Sequence, residues 1–194
     1  MPDYRRAFAP GGTFFFTLVT FGRAPILLGD AARLALRRAV ERTRRDHPFA
    51  LDAIVVLPDH LHAVWTLPEG DADFSTRWRL IKSRFTREWL TTEAARADGA
   101  ASRPLARASR GERAVWQPRY WEHLIRDEGD LARHLDYVHY NPVKHGHAPC
   151  PHAWPWSTFS KQVALNHYDE KWCCACAGPV EPPDFGWADG VELE

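Results

Sequence analysis

Short apolar runs alternate with stretches of helical periodicity along the first three quarters of the chain. Strands, rich in β-branched and aromatic residues, are predicted at residues 13–20, 49–57, 61–67 and within 115–125. Helices, each with apolar residues at helical spacing, are predicted at residues 31–45, 75–97 and 127–140. The order β-α-β-β-α-β, followed by the third helix, predicts an α+β fold with a ferredoxin-like split βαβ sheet backed by helices.

The stretches between and after these elements are poor in core-forming residues. Residues 98–114 are small, polar and rich in arginine, which predicts a flexible loop. The third helix is expected to close near Asn141 and Pro142, since proline disfavours helix continuation. The end of the chain is rich in Gly, Pro and acidic residues and is expected to be extended or poorly ordered. We therefore predict one domain over residues 1–167 and an irregular tail over residues 168–194.

Composition argues against a disordered protein and against a membrane-spanning protein. Hydrophobic residues make up 45% of the 194 positions and aromatic residues 12%, which is enough for a folded core. No apolar run approaches the roughly 20 residues that a membrane helix needs. The first residues lack the apolar core of a secretory signal, so we expect a cytoplasmic protein without a membrane partner.

The formal net charge of zero conceals two oppositely charged segments. Residues 168–194 hold seven acidic residues and one base, Lys171, for a net charge of −6, so residues 1–167 carry +6. All but four of the 25 basic residues are arginine, whose planar guanidinium binds phosphate and stacks on bases. The body therefore favours a nucleic-acid partner, although arginine richness is also typical of proteins from GC-rich genomes.

A pair of histidines is the first candidate for chemistry. His60 and His62 are two residues apart on a predicted strand, so both imidazoles face one side of the sheet while Leu61 faces the other. Two imidazoles on one face can bind a metal ion together. The alternative is a pair of histidines held at the sheet surface by hydrogen bonds alone.

A tyrosine and an asparagine form the second candidate. Tyr137 and Asn141 lie one helical turn apart, so the phenol and the amide share a helix face. The alternative is a tyrosine packed on the sheet, with Asn141 capping the end of the helix.

The four cysteines, Cys150, Cys173, Cys174 and Cys176, are clustered near the end of the chain. Zinc binding together with His152 or His167 is disfavoured because the spacing is not C-x₂-C and adjacent cysteines rarely bind one tetrahedral ion. Disulfides are disfavoured in a cytosolic protein. The role of this region is left open.

Taken in chain order, the motifs resemble the REP-associated tyrosine transposases, a branch of the single-tyrosine HUH transposases. The similarity extends over about residues 4–160. It lies in the stretches Tyr4–Arg6, Gly11–Thr17, Val55–Trp65, Trp78–Ser83, Val115–Gln117, Tyr120–His123, Ile125–Glu128, His134–Gly146 and Trp154–Ser157.

This resemblance implies an enzyme that cuts and rejoins single-stranded DNA at REP hairpins. By the family pattern, His60, His62 and Asn141 bind a divalent metal, Mg²⁺ or Mn²⁺, and Tyr137 is the nucleophile that forms a covalent 5′-phosphotyrosine. The family branch suggests a monomer, with a dimer as the alternative, that is associated with the nucleoid when it binds DNA. Two other functions stay open: a non-catalytic regulator that binds the hairpin, and a metal-dependent phosphodiesterase that uses water.

The basic side chains expected to contact DNA lie in the N-terminal segment, on the second helix, in the loop and before the fourth strand. They are Arg5, Arg6, Arg77, Arg79, Lys82, Arg84, Arg87, Arg103, Arg107, Arg110 and Arg119. We expect the side chains of the second helix to point outward and to supply charge near the catalytic site.

The acidic tail generates a first prediction. If residues 168–194 lie over the basic surface and compete with DNA, their deletion should tighten DNA binding, most strongly at low salt where charge is least screened. Titrating labelled hairpin DNA with both proteins at two salt concentrations tests this. Equal affinity of the full-length and shortened chains would contradict the hypothesis.

Overall fold

The computed structural model describes residues 8–97, 105–107, 112–113 and 115–185. The strands are β1 (Thr13–Val19), β2 (Ala50–Val56), β3 (His60–Thr66), β4 (Leu105–Arg107), β5 (Glu112–Arg113) and β6 (Trp121–Leu124). The helices are α1 (Asp30–Asp46), α2 (Phe74–Trp89), α3 (Glu93–Ala97), α4 (Glu128–Lys144) and α5 (Phe159–Ala164).

The main sheet has four antiparallel strands in the order β2-β3-β1-β6. The order places β3 between β1 and β2, so the first β-α-β unit is split by a strand that comes later in the chain. This arrangement confirms the predicted α+β fold and its ferredoxin-like sheet.

The two faces of the sheet are covered by different helices. Phe14 and Phe16 of β1 pack with Trp65 of β3 in the core that includes α1 and α2. Phe15 and Val64 face the other way and pack with residues of α4. Because successive residues of a strand point to opposite faces, His60 and His62 lie on the α4 face, like Val64.

Helix α4 is longer than predicted and continues through Pro142 to Lys144. A proline inside a helix normally removes one hydrogen bond and kinks the helix. Here it lies in the last turn, and the carbonyl groups there accept bonds from residues beyond the helix. Asn141 O accepts from His145 N at 3.0 Å, and Pro142 O accepts from His147 N at 2.8 Å.

Helix α2 is shorter than predicted, because it ends at Trp89 and α3 is a separate element. The hydroxyls of Thr91 and Thr92 donate to the carbonyls of Glu88 and Trp89. Such local bonds compete with helical ones and favour a turn.

Two further regions contain structure that was not predicted. Within residues 98–114, the described residues 105–107 and 112–113 pair as antiparallel strands β4 and β5 where we expected only a loop. In the tail, Tyr168, Trp172 and Phe185 make aromatic contacts with residues of α4. Deleting residues 168–194 therefore removes packing as well as charge, and replacing the exposed Glu170 and Glu181 by their amides is the control for charge.

The exposed edge of β2 is paired with residues from the segment after α4. Val56 N donates to Trp156 O at 2.8 Å, and Thr158 N donates to Ile54 O at 2.9 Å. This pairing protects the edge from association with other chains. Within the described ranges, none of the helices combines the length and the apolar character that crossing a membrane requires.

Arg77 is buried, although we expected it on the outer face of α2. Its guanidinium donates to Asp71 Oδ2 at 2.7 Å, to Pro48 O at 2.7 Å and to Asp73 O at 2.8 Å. These bonds join the start of α2 to the chain just before β2. The helical pattern did not reveal this, because the partners of Arg77 lie outside its own helix.

Arg77→Ala should lower the free energy of unfolding by about 3 kcal/mol, because it removes a buried guanidinium together with its ion pair to Asp71 and its bonds to two carbonyls. The matched control is Arg79→Ala on the exposed side of the same helix, with a change within about 0.5 kcal/mol. Urea denaturation measures both values. Equal effects of the two variants would show that Arg77 does not connect the two segments.

Candidate functional site

The candidate site begins with the pairing of β1 and β3. In this register Thr17 lies opposite His62, and Thr17 Oγ1 is hydrogen-bonded to His62 Nδ1 at 2.8 Å. His60 Nδ1 is hydrogen-bonded to Asp59 Oδ1 at 2.6 Å. Both imidazoles are therefore held through Nδ1 by residues next to them in the sheet or the chain.

The other nitrogen of each ring, Nε2, is buried and has no hydrogen-bond partner among the described residues. The two rings lie 5.1 Å apart between centroids. Histidines that bind metals characteristically use one nitrogen for the ion and anchor the other on a carboxylate or hydroxyl. The two Nε2 atoms, on rings that are held in place through Nδ1, therefore fit a metal ion.

Charge and burial keep His62 in the form that binds metals. Burial lowers the pKa of His62 well below its ordinary value, and electrostatic repulsion from His60, His145 and Lys144 lowers it further. The imidazole is therefore neutral near pH 7, and a neutral ring is what a metal requires. Burial alone would raise the pKa of Asp59, but its bonds to His60 and Arg23 hold that pKa below the ordinary value.

Tyr137 lies on the same face of the sheet as the two histidines. Its ring is 5.1 Å from the ring of His62 and 5.9 Å from that of Phe15. The structure therefore brings the predicted nucleophile next to the predicted metal ligands.

Asn141 follows one turn later on α4 and is fully buried. Neither its Oδ1 nor its Nδ2 has a hydrogen-bond partner among the described residues. An unpaired buried amide costs about 1–3 kcal/mol, so this side chain suits a ligand that it binds during function.

Two residues of the site were missed as functional candidates. Lys144 Nζ lies 3.4 Å from the hydroxyl of Tyr137 and 5.0 Å from its ring centroid. The ring of His145 lies 5.3 Å from that of His60. The spacing of seven residues from Tyr137 to Lys144 could have revealed the lysine in the sequence. This spacing indicates a shared helix face, however, only if the helix continues past Pro142.

The tail covers Tyr137 from outside. The ring of Phe185 lies 5.3 Å from that of Tyr137, nearly perpendicular to it, and 6.1 Å from that of Tyr140. Tyr137 is consequently only 4% exposed. A DNA phosphate can reach its hydroxyl only if this contact opens or the strand enters from another side.

A second cluster of potential ligands lies beside the site, formed by His123, Asp130 and His134. Asp130 Oδ2 is hydrogen-bonded to His123 Nε2 at 2.8 Å and accepts from Arg126 N at 3.0 Å. His134 Nδ1 donates to the backbone carbonyl of Asp130 at 2.8 Å. The protein itself thus supplies hydrogen-bond donors to this carboxylate, and the cluster joins α4 to β6.

The basic residues expected to contact DNA fall into three groups. Arg79, Arg87 and Arg119 are exposed. Three others are engaged inside the protein: Arg77 as described, Arg84 with Thr43 and Asp46, and Lys82 with the carbonyl of Gln117. Arg5, Arg6, Arg103 and Arg110 lie outside the described residues, and of Arg107 only the backbone in β4 is described.

The expectation that α2 supplies charge near the catalytic site is wrong. Helix α2 packs on the sheet face that carries Leu61 and Trp65, whereas His60, His62 and Tyr137 lie on the α4 face. The alternation of side chains along β3 places α2 and the site on opposite sides of the sheet.

Comparison with known proteins identifies close relatives. No family model matches the chain. The chain is 42% identical over 172 residues to the REP-associated tyrosine transposase of Escherichia coli K12, covering 89% of this chain and 91% of the relative. A protein of Haemophilus influenzae, provisionally named as another such transposase, is 41% identical over 172 residues, with 89% and 93% covered.

The fold is also similar to a solved structure of a REP-associated tyrosine transposase bound to a REP hairpin. The TM-score is 0.74 and the sequences are 38% identical, over 98% of this chain and 99% of the other. The similarity therefore extends over nearly the whole length of both proteins.

The buried His134 predicts a pH dependence of stability. Burial lowers its pKa from 6.5 to about 4. Between these two pH values the unfolded chain therefore binds a proton at His134 that the folded chain does not bind. Its stabilising contribution is complete above pH 6.5 and is lost as the pH falls toward 4. Between pH 7 and pH 5 this residue should account for a loss of about 2 kcal/mol.

Urea denaturation of wild type and His134→Asn at these two pH values measures that contribution. The asparagine retains a donor for the carbonyl of Asp130 but does not titrate. The variant should be less stable at pH 7 and should lose less stability on acidification. An identical loss in both proteins would contradict this role.

Proposed function

The chain belongs to the REP-associated tyrosine transposase family, and on that basis we propose that it cuts and rejoins single-stranded DNA beside REP hairpins through Tyr137. The observation that supports this most strongly is the position of Tyr137 beside His62, on the face where two buried imidazole nitrogens lack a partner among the described residues.

His60, His62 and Asn141 would hold a divalent metal ion, Mg²⁺ or Mn²⁺. When bound, such an ion withdraws charge from the phosphate oxygens and orients the scissile bond. Thr17 and Asp59 keep the two imidazoles in place through their Nδ1 atoms. The imidazoles favour Mn²⁺ over Mg²⁺, and phosphate and water oxygens would complete either coordination shell.

Tyr137 supplies the nucleophile. Its hydroxyl loses a proton to solvent and the phenolate oxygen attacks the phosphorus. The bond from phosphorus to the 3′ oxygen breaks, and that oxygen takes up a proton from solvent. The products are a phosphotyrosine on the 5′ end of one fragment and a free 3′ hydroxyl on the other. Because the new ester resembles the old one in energy, a second 3′ hydroxyl can reverse the step without ATP.

Lys144 lies where negative charge develops during this attack. Its ammonium group is 3.4 Å from the Tyr137 hydroxyl and can stabilise both the phenolate oxygen and the incoming phosphate. The lysine also lies over the phenol ring, which helps to fix the orientation of the nucleophile.

Binding of the DNA requires basic side chains beyond the site itself. Arg79, Arg87 and Arg119 are the exposed candidates, and Arg5, Arg6, Arg103, Arg107 and Arg110 remain proposals from the sequence. Since α2 lies on the opposite side of the sheet, its arginines would contact a part of the hairpin away from the scissile phosphate. We propose that the protein acts as a monomer on chromosomal DNA in the cytoplasm.

A covalent-adduct assay tests the proposal. A single strand with a REP hairpin is labelled at its 3′ end, because the adduct retains the downstream fragment, and is incubated with protein and Mn²⁺ or Mg²⁺. A labelled protein band should survive denaturation. Tyr137→Phe should reduce this band by about 10³-fold or more while leaving hairpin binding intact.

Tyr140→Phe is the matched control, since it removes a hydroxyl from the same helix one turn away and should leave the adduct unchanged. Cutting without any adduct would favour a phosphodiesterase that uses water. Binding with neither cutting nor adduct would favour a non-catalytic regulator. Either outcome would contradict the proposed tyrosine mechanism.

A further inference from the structure

Three cysteines and a histidine meet where the tail folds back against the body of the protein. One nitrogen of His152 and the sulphur atoms of Cys150 and Cys174 all lie within 4.8 Å of one another. Cys176 Sγ lies 2.7 Å from Cys150 Sγ. Four side chains of metal-binding type thus converge from two segments more than 20 residues apart.

Contrary to the sequence expectation, Cys150 and Cys174 are joined as a disulfide. A disulfide uses two sulphur atoms, however, and gives no role to the third cysteine or to the imidazole. The convergence of all four side chains is what a tetrahedral ion requires. We infer that in the reduced chain Cys150, His152, Cys174 and Cys176 bind one Zn²⁺ ion.

The chemistry of the ligands favours zinc. Three thiolates and one imidazole are one of the common ligand sets of structural zinc sites, with zinc–sulphur distances of about 2.3 Å. Sulphur atoms bound to one such ion stand about 3.7 Å apart. In the reduced chain, the sulphur atoms of Cys176 and Cys150 would therefore move about 1 Å further apart when they bind the ion. Thiolates select zinc over Mg²⁺ and Mn²⁺, so this site differs in kind from that of His60 and His62.

The adjacent cysteines, which argued against zinc in the sequence, point in different directions. Cys173 has a left-handed backbone, with φ of 50°, so its side chain turns away from that of Cys174. It is partly buried and packs against the core beside α4. Only Cys174 of this pair belongs to the cluster.

The ligands therefore form two short pairs, each with one intervening residue. Cys150 and His152 flank Pro151 at the start of one 3-10 turn, and Cys174 and Cys176 flank Ala175 at the start of another. The two turns are joined by a backbone bond from Ala175 N to Pro149 O of 2.9 Å. This bond fixes the two pairs next to each other before any ion binds.

His152 is also oriented as a zinc ligand. Its Nδ1 donates to the backbone carbonyl of Glu170 at 3.1 Å, which leaves Nε2 as the nitrogen with a lone pair. Donation from the second ring nitrogen to a carbonyl is the usual support for a metal-bound histidine.

The ion would fasten the tail to the body of the protein. Trp172, two residues before Cys174, packs on Tyr140 of α4, and Phe185, nine residues beyond Cys176, packs on Tyr137. Zinc would hold the segment that carries both aromatic contacts, independently of the DNA chemistry.

Metal analysis of the full-length protein, purified with a phosphine reductant and without added metal, tests the inference. About one tightly bound zinc per chain is expected, and Co²⁺ in its place should give an intense thiolate-to-cobalt charge-transfer band. His60, His62 and Asn141 offer no sulphur and cannot produce that band.

Cys176→Ser should lower the intensity of the band by at least about a third, because one of three thiolates is removed, and should weaken zinc binding. Cys173→Ser is the matched control and should keep both, because Cys173 lies outside the cluster. If Cys176→Ser does not fold, the zinc content and cobalt spectrum of the wild type and of Cys173→Ser still test the inference. A wild-type protein without zinc and without the cobalt band, or an equal loss in Cys173→Ser, would overturn the inference.

Discussion

The pairing of β1 with β3 is the interaction on which the candidate site depends. This register sets Thr17 opposite His62 and, by alternation along β3, directs His60, His62 and Val64 to the face covered by α4. A shift of one residue would turn both imidazoles toward α1 and α2 and bury them in an apolar core. The register is stabilised by Phe14, Phe16 and Trp65 on one face and by Phe15 on the other, so the aromatic core and the site constrain each other.

Helix α4 brings the remaining groups to this face. It begins at an Asp127 cap, is attached to β6 through Asp130 and continues past Pro142. Because it continues, Tyr137, Asn141 and Lys144 follow one another along a single side. The result is a tyrosine between two imidazoles and a cation, which suits transfer of a phosphodiester to the phenol oxygen.

Much of the fold could be predicted from local patterns. The runs around Phe15, Ala53 and Val64, and the spacing of Trp78, Ile81 and Phe85, are local signals, and each became a strand or helix near the expected place. His60 and His62 were likewise recognisable, because strand alternation needs no tertiary information. The sequence also suggested the family, which the relatives confirm.

What could not be predicted depends on partners distant in the chain. Arg77 looked like a surface residue because its helix does not contain Pro48 or Asp71, and the zinc ligands looked badly spaced until the backbone turned Cys173 away. The end of α4 was predicted too early, because the proline was taken to end the helix. The residues beyond the helix that donate hydrogen bonds to the carbonyl groups of its last turn could not be recognised from the sequence.

The most direct test of the site is binding of Mn²⁺, followed by electron paramagnetic resonance of the free ion. Wild-type protein should bind one Mn²⁺ per chain, and His62→Gln, which keeps a polar side chain at this position, should lose that ion while Thr17, Tyr137 and the fold stay unchanged. Equal binding by the two proteins would contradict the account, because the imidazole nitrogens that lack a partner among the described residues would then have no metal to hold.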